Sequence, residues 1–519
     1  MELVENRAVK LKTRLTSNIL KAIPKSKLIG RIANTDIDEV LVYWGRDEVR
    51  ALHALGFKAV PPAPMRYTWT GMYKPMSHQT TTAEFLSTYD RCFLLSEQGT
   101  GKTCSAAWAA DYLMKLGEVK RVLVVCPISI MHAAWKDDLF RSVMHRKVGI
   151  AHGTKEQRKR VIQSDTEFVI INYDGIEIVM DDIIAGGFDL IIVDEANNLK
   201  STSTRRWKAF NKIMGAVKPR LWMMTGTPAA QSPEDAYGLA KLVCPDRVPK
   251  YFTQWRDMVM QRLTQFKWVP RPQAKDIVFN ALQPAIRFTK EQCLDLPEMM
   301  FTRRDVELTP QQLSYYRQMK KDMLMSAAGE EVSAVHAAAN LNKLLQISCG
   351  AVYSDNGEVL RFDASNRLNV MDEIIDESDK KTIIFAPFRH VIELIKDHLA
   401  ARGIQTSFIH GDVSPSKRGD IINDFQNSPD TRVIVIQPQA ASHGITLTAA
   451  SSVIWFGPTS SVETFLQANS RAHRNGQDTK VTIFMIQGSP AEEKMYDMLD
   501  KRIESHEGLI NLYKEVLQM

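Results

Sequence analysis

Cysteine is scarce in this chain and long apolar runs are missing, and each shortage closes off a class of protein. The six cysteines (Cys92, Cys104, Cys126, Cys244, Cys293, Cys349) are scattered with no close pair. Neither a disulfide framework nor a zinc-ligand spacing is present, and buried thiols in a reducing compartment are expected. No apolar stretch approaches the ~20 residues that span a bilayer. Met1–Leu15 mixes charged with apolar residues where a signal peptide would carry one continuous apolar segment. No membrane association is expected, and the location expected is cytoplasmic, or nuclear in a eukaryotic host. Charge of one sign is not abundant either: the net charge is +6. At 44% hydrophobic and 24% charged the chain has average soluble composition, which excludes disordered, collagen-like and coiled-coil classes. Its 519 residues leave room for three or four folding units of about 150 residues each.

The small charge excess is unevenly placed. Residues 1–35 hold eight Lys/Arg (Arg7, Lys10, Lys12, Arg14, Lys21, Lys25, Lys27, Arg31) against Glu2 and Glu5. Eight minus two is +6, as large as the excess of the whole chain, and marks polyanion contact as one reading and a solvated face as the other. Residues 1–72 read as a small α/β accessory domain and a candidate DNA-binding element, with a strand at Val40–Tyr43 and a helix at Asp47–Leu55 stopped by Gly56. From about residue 75 short, fully apolar runs alternate with helical stretches: Cys92–Leu95, Val122–Val125, Phe168–Ile171, Leu190–Val193 and Leu221–Met224. The rhythm resumes at Thr382–Phe385, Ser407–Ile409, Val433–Ile436, Val453–Phe456 and Val481–Met485. Such runs indicate parallel strands covered on both faces. Two parallel α/β blocks are therefore expected at 73–240 and 366–490. A helical insertion and linker (241–365) lies between them, with helices at Leu313–Ser326 and Val332–Ile347, and 491–519 forms a charged C-terminal helix.

The first apolar run is followed by Ser96-Glu97-Gln98-Gly99-Thr100-Gly101-Lys102-Thr103 and then by helix-friendly Ser105–Met114. Strand, glycine loop and Lys-Thr opening a helix is the arrangement that cradles phosphate. Gly99, Thr100 and Gly101 bring backbone amides to the anion, Lys102 neutralises charge, and the Thr103 hydroxyl ligates Mg2+. The usual pattern has glycine at the first position, where Ser96 stands. Asp189–Asn197 supplies the second half: four apolar residues put Asp194 at the carboxyl edge of a strand, where ligands of open α/β sheets sit. Asp194 is expected to hold Mg2+ and Glu195 to orient and deprotonate the attacking water of ATP hydrolysis. In the second block, Gln467–Gln477 places Arg471 and Arg474 one helical turn apart and on a shared face, able to reach a γ-phosphate as arginine fingers do.

The ordered set resembles a superfamily-two helicase and, within that group, the Swi/Snf-related DNA translocases, in particular a compact annealing-helicase or phage-type member. The resemblance covers about 75–500. Gln79 in Lys74–Gln79 matches the adenine-contacting glutamine, and Cys126-Pro127-Ile128-Ser129 with Trp135 is similar to the Pro-x-Ser and tryptophan segment. Asn172-Tyr173-Asp174 resembles the next strand end. Arg287-Phe288-Thr289-Lys290 with Leu296-Pro297 resembles the Arg-Arg-Thr-Lys and Leu-Pro hallmark between the lobes. His410-Gly411-Asp412, Arg418 and Phe425 fit the second lobe, and Gly444-Ile445-Thr446-Leu447 takes the place of Gly-Leu-Asn-Leu. Gln467–Gln477 is close to Gln-Ala-x-x-Arg-x-His-Arg-x-Gly-Gln. Asn197 replaces the usual histidine, Phe288 an arginine and Thr446 an asparagine, so the departures bear on coupling rather than on phosphoryl chemistry.

The resemblance implies two RecA-like parallel-sheet lobes with helical insertions between them and a small N-terminal α/β appendage. It implies ATP and Mg2+ as cofactors, with Gln79, Gly444 and Gln467 joining the phosphate loop in nucleotide binding. Pro127, Ser129, His410, Gly411 and Thr446 are implied to meet nucleic-acid phosphates. The expected activity is that of a monomeric, ATP-dependent translocase or helicase on double-stranded or branched DNA, remodelling forks or junctions in replication, recombination or repair. An RNA helicase, the motor subunit of a restriction-type complex and a non-catalytic nucleic-acid-binding scaffold stand as alternatives. Met65–Gly71, with Tyr67 and Trp69, either stacks bases or packs the appendage onto the first lobe.

Overall fold

A computed structural model of the chain describes residues 1–519 except 58–59, 227–228, 230–231, 265–267, 294–296, 328–333, 354–357, 442–444, 475 and 502–519. It separates into two compact units, Met1–Cys293 and Leu294–Met519. Among the described residues no helix is long and apolar enough to cross a membrane.

The first unit begins with strands β1 (Glu2–Val4), β2 (Ala8–Thr13), β3 (Ser26–Arg31) and β4 (Asp38–Tyr43), joined antiparallel in the order β1-β2-β4-β3. Alternation puts Val9, Leu11, Val40 and Val42 on the inner face, against Ile19, Val49 and Leu52 of the short helices Thr16–Ala22 and Arg46–Ala54 and against Ile23 just past the first. Four of the eight cations counted in 1–35 are paired with acids: Lys10 with Glu39 (3.0 Å), Arg14 with Asp36 (3.0 Å), Lys25 with Glu48 (3.6 Å) and Arg31 with Asp38 (2.8 Å).

Met65–Gly71 packs. The Tyr67 hydroxyl donates to Asp111 (2.6 Å), the Trp69 ring meets Trp108 edge-on at 5.3 Å, and the Trp108 indole donates to the Thr70 carbonyl (3.3 Å). Asp111 is fully buried and also takes Arg146 (2.6 Å), His145 (2.9 Å) and Lys115 (3.1 Å). Burial alone would raise its pKa, but the Tyr67 hydroxyl, Arg146 and Lys115 outweigh burial and hold it below the ordinary aspartate value. A depressed folded pKa contributes stability above the unfolded pKa, and that stability is lost as pH falls through the folded one. Asp111→Asn is therefore expected to melt below the wild type at pH 7, with the gap closing below about pH 4. A gap that persists unchanged into acid would show that the carboxylate charge contributes nothing.

The main sheet of this unit comprises β5 (Arg91–Leu94), β6 (Val122–Cys126), β7 (Val148–Ala151), β8 (Phe168–Asn172), β9 (Leu190–Asp194), β10 (Arg220–Met224) and, after the hairpin β11 (Met260–Arg262) and β12 (Trp268–Pro270), β13 (Ala285–Ile286). All seven strands are parallel, in the order β13-β5-β10-β9-β6-β8-β7. The apolar runs are explained by two cores, one on each face. Phe93, Leu123, Val169, Ile191 and Met223 enter one; Leu94, Val124, Ile170, Ile192 and Trp222 enter the other.

The second unit contains β14 (Met299–Asp305), the hairpin β15 (Ala351–Tyr353) and β16 (Val359–Arg361), then β17 (Lys381–Phe385), β18 (Thr406–Ile409), β19 (Val433–Ile436), β20 (Ala450–Trp455) and β21 (Val481–Gln487). Six of these form a second all-parallel sheet, β14-β21-β20-β17-β19-β18, again with a core on each face. Helices Pro310–Ala327 and Ala334–Ser348 occupy the stretch read as helical. That stretch, 241–365, also supplies β13 to the first sheet and β14 to the second. The last described helix, Pro490–Asp500, is integral to the unit, with Ala491, Met495, Tyr496 and Leu499 buried.

Candidate nucleotide and nucleic-acid site

In the first sheet Leu94, Met224 and Asp194 stand in one register row across β5, β10 and β9. Asp194 is thus two strand spacings, about 10 Å, from the strand that feeds the phosphate loop. The loop leaves β5 and enters helix Lys102–Lys115 through Gly101, at φ 78°, with Gly99 at φ 84°. Both lie in the left-handed region that favours glycine, and a Cβ on Gly101 would stand 2.0 Å from Gln79 Nε2. Lys102 Nζ donates to the carbonyls of Ser96 (2.9 Å) and Glu97 (3.1 Å), and Thr100 Oγ1 donates to Glu97 O (2.8 Å). Thr103 is half-buried in the first helical turn. Gln79 touches the same loop: its Oε1 accepts the Met76 amide (2.9 Å), and its Nε2 reaches Thr100 O at 3.4 Å. The structure therefore gives Gln79 a loop-bracing contact beside the adenine-reading role expected of it.

Asp194 closes β9 and is 8% exposed. The Trp135 indole donates to one of its oxygens (2.9 Å) and the Glu195 amide to the other (3.0 Å). Burial, then the neighbouring Glu195 charge, push its pKa up to about 6, against the opposing pull of Lys102. Glu195 itself is held at φ 52°, ψ 54°, a left-handed conformation rare for a residue with a side chain. Three bonds hold that backbone: the Tyr173 hydroxyl donates to the carbonyls of Asp194 (2.6 Å) and Glu195 (3.0 Å), and Asn198 Nδ2 to Glu195 O (3.0 Å). Thr225, on the row after β10, is buried, and its amide donates to Leu94 O (3.0 Å); Thr227 and Pro228 lie outside the described residues.

The donor set suits magnesium. The Asp194 carboxylate and Thr103 hydroxyl are hard oxygens, and among the described residues no group of three His, Cys, Asp or Glu could hold a metal alone. Sparse protein ligation completed by phosphate oxygens is how Mg2+ is commonly bound. Pro127 and Ser129 sit at the carboxyl end of β6, and Ser129 Oγ is buried without a hydrogen-bond partner, an uncommon state that a ligand would relieve.

In the second unit His410 and Gly411 follow β18. Arg418 donates to both of their carbonyls (3.2 Å each), the Gly411 amide reaches Gln437 (3.3 Å), and His410 Nδ1 is buried without a partner. Thr446 is half-buried between β19 and β20, and Gly444 lies outside the described residues. Gln467 is buried and bonds Glu463 (3.0 Å). The expected shared helical face of Arg471 and Arg474 is corrected: the helix Val462–Asn469 ends before them. Asn469 turns its side chain to the Trp455 indole (2.9 Å), and both arginines fall in the turns beyond. They still converge on one segment, Arg471 Nε donating to Ala441 O (3.0 Å) and Arg474 Nη1 to Ile445 O (3.2 Å). Gln477 bridges the carbonyls of Thr448, Ala450 and Ala472 at 2.9–3.2 Å, and His473 donates to Pro297 O (2.7 Å). Several residues of this segment are thus braces. The bonds of Trp135 and Tyr173 to Asp194 and Glu195 join residues 59, 21 and 22 positions apart, a separation at which no local motif reveals them.

Residues 77–350 match the SNF2-related domain and residues 366–476 the helicase conserved C-terminal domain. The chain is 28% identical over 406 residues to an uncharacterized ATP-dependent helicase of Mycoplasma pneumoniae, covering 76% of this chain and 37% of that protein. It is 25% identical over 425 residues to the chromodomain-helicase-DNA-binding protein 1-like of Mus musculus, covering 78% and 46%. With the DNA annealing helicase and endonuclease of Homo sapiens it shares 24% identity over 446 residues, covering 82% and 39%. The chain thus spans less than half the length of each of these relatives. The Sulfolobus solfataricus SWI2/SNF2 ATPase core, solved in complex with double-stranded DNA, superposes with a TM-score of 0.43 at 21% identity, covering 84% of this chain and 93% of that one. With more than half of its length matched by the SNF2-related domain and a helicase C-terminal domain following it, the chain belongs to the SNF2-related family of superfamily-two helicase ATPases.

Proposed function

We propose that this chain couples ATP hydrolysis to movement along double-stranded or branched DNA, and that it serves replication, recombination or repair by remodelling forks or junctions. The observation that carries the reading is the buried Asp194, in register with the phosphate-loop strand, followed by Glu195 in a braced left-handed turn. In this reading the loop amides of 99–103 and Lys102 receive the β- and γ-phosphates, and Gln79 contacts adenine. Glu195 orients the attacking water and accepts its proton. Asp194 and Thr103 would hold Mg2+, which when bound draws charge from the phosphate oxygens. Arg471 and Arg474 are assigned to the γ-phosphate end of the nucleotide, and Gly444 and Gln467 to nucleotide binding. The unpartnered polar atoms of Ser129 and His410 support nucleic-acid contact at Pro127, Ser129, His410, Gly411 and Thr446. Contacts of this kind are to phosphates, so binding is expected to weaken steeply with salt and to read little sequence.

The test is ATPase rate with no nucleic acid, linear duplex, branched duplex and RNA, each with wild type and Lys102→Ala. Duplex or branched DNA is expected to raise turnover. Lys102→Ala is expected to lose about 100- to 1,000-fold, the scale of removing one preorganised charge-stabilising donor. Equal rates with and without DNA, or stimulation by RNA alone, would overturn the assignment; full turnover in Lys102→Ala would refute the site.

A further inference from the structure

The chain leaves the first unit along the edge of the phosphate loop. Residues 284–288 run parallel to 93–97, and the amides of Phe93, Leu95 and Glu97 donate in turn to the carbonyls of Pro284 (3.0 Å), Ile286 (2.8 Å) and Phe288 (3.0 Å). Regular pairing of β13 with β5 ends at Ile286 and Leu94, yet the same every-other-residue ladder continues into the loop. Two side chains close it from the other side: the Phe288 amide donates to Ser96 Oγ (3.0 Å) and the Lys290 amide to Glu97 Oε2 (3.1 Å). Ser96 and Glu97 are also the residues whose carbonyls receive the Lys102 ammonium. The far end of the loop is touched as well, because the Phe288 ring lies 5.9 Å from His78, whose Nε2 donates to Thr100 O (2.9 Å).

We propose that Ser96 and Glu97 are positioning residues that tie the placement of Lys102 to the segment 284–290. Tension arriving along the chain beyond Lys290 then shifts the acceptors of the catalytic ammonium. The geometry gives a reason for two departures from the family pattern at once. A glycine at position 96 would leave the Phe288 amide without its acceptor, and Phe288, where the pattern has arginine, sets its ring edge-on to His78. Displacing the two carbonyls by a fraction of an ångström displaces Lys102 with them, and misplacement on the 1 Å scale is enough to change turnover about a hundredfold. The inference rests on the ATPase reading above and adds to it the route by which DNA engagement reaches the phosphate loop.

The Lys290 amide can be deleted nearly alone. Lys290 opens the helix Lys290–Cys293, and proline is well tolerated at a first helical position. Lys290→Pro removes the N–H, whereas Lys290→Ala removes the side chain and keeps it. The ratio of DNA-stimulated to basal ATPase is expected to fall about tenfold in Lys290→Pro relative to Lys290→Ala, the scale of one hydrogen bond to a carboxylate. In the wild type, ATP with magnesium is expected to slow deuterium exchange at the Phe288 and Lys290 amides. Equal stimulation ratios in the two variants, or exchange at both amides indifferent to nucleotide, would overturn the inference while leaving the ATPase reading standing. A wild type that DNA does not stimulate would remove that reading, and this inference with it. If Lys290→Pro fails to fold, the exchange measurement on the wild type decides.

Discussion

Replacing Glu195 with glutamine is expected to cut ATP turnover by about 10²- to 10⁴-fold, the range a positioned general base supplies, with nucleotide affinity little changed. The substitution keeps volume and leaves the backbone demands alone. Those demands are specific: the left-handed turn at residue 195 costs about 1–2 kcal/mol for a side-chain-bearing residue. The structure offsets that cost with the Tyr173 hydroxyl on two consecutive carbonyls and with the Asn198 amide. A glutamine there would sit in the same place without a charge to accept the proton of water. Single-turnover hydrolysis measured beside equilibrium nucleotide binding separates the two effects. Turnover within threefold of wild type would remove Glu195 from the reaction.

The second large effect concerns the second unit. Arg367 and Glu492 form an ion pair at 2.7 Å with side-chain exposures of 2% and 0%. Glu492 Oε2 also accepts the Gly488 amide (2.8 Å) and the Ser489 hydroxyl (3.3 Å), and Arg367 donates to the carbonyls of Phe456 and Ile486. One salt bridge thus fastens the helices Ser365–Glu377 and Pro490–Asp500 to the ends of β20 and β21. Glu492→Ala is expected to destabilise this unit by about 3–5 kcal/mol, because it strands a buried guanidinium. Replacing both partners, Arg367→Met with Glu492→Leu, is expected to recover most of the loss, since a packed apolar pair avoids the desolvation of two ions. Urea midpoints of the three proteins give the comparison. A double variant as unstable as the single one would show that the bonds to Phe456, Ile486 and Gly488, not the pairing of charges, hold the helices.

The central strands were readable because both of their faces are buried, so β6, Val122–Cys126, has no polar residue to break its run. Most edge strands were not, β18 at Thr406–Ile409 being the exception. β14, Met299–Asp305, sits half-exposed at the rim of its sheet, with Arg303 bonded to Asp497 (2.8 Å) and Arg304 to Glu373 (2.7 Å), so its composition reads as surface. The two-residue β13 carries no pattern at all. In the proposed site, phosphate chemistry asks for particular residue types at consecutive positions, so Lys102, Thr103, Asp194 and Glu195 stand out in the sequence. The partners that position them lie far along the chain: Trp135 is 59 residues from Asp194, and the Phe288 amide 192 residues from the Ser96 hydroxyl. Spacing alone also misjudged Arg471 and Arg474. The period of a helix was extended past Asn469, whose side chain is drawn instead to Trp455.

The ladder along residues 284–290 also has a consequence for synthesis. β5 takes its neighbours from β10 and β13, so a nascent chain that has emerged only through helix Lys102–Lys115 presents a strand with neither flank covered. At 5–20 residues per second, residue 290 leaves the ribosome about 10–40 s after the glycine loop. Throughout that interval its β13 flank stays open, even once β10 has emerged to cover the other, a state prone to wrong edge-to-edge pairing. Slow codons or a holding chaperone would act most usefully there, and the first unit can mature only as the last few residues before the second one emerge.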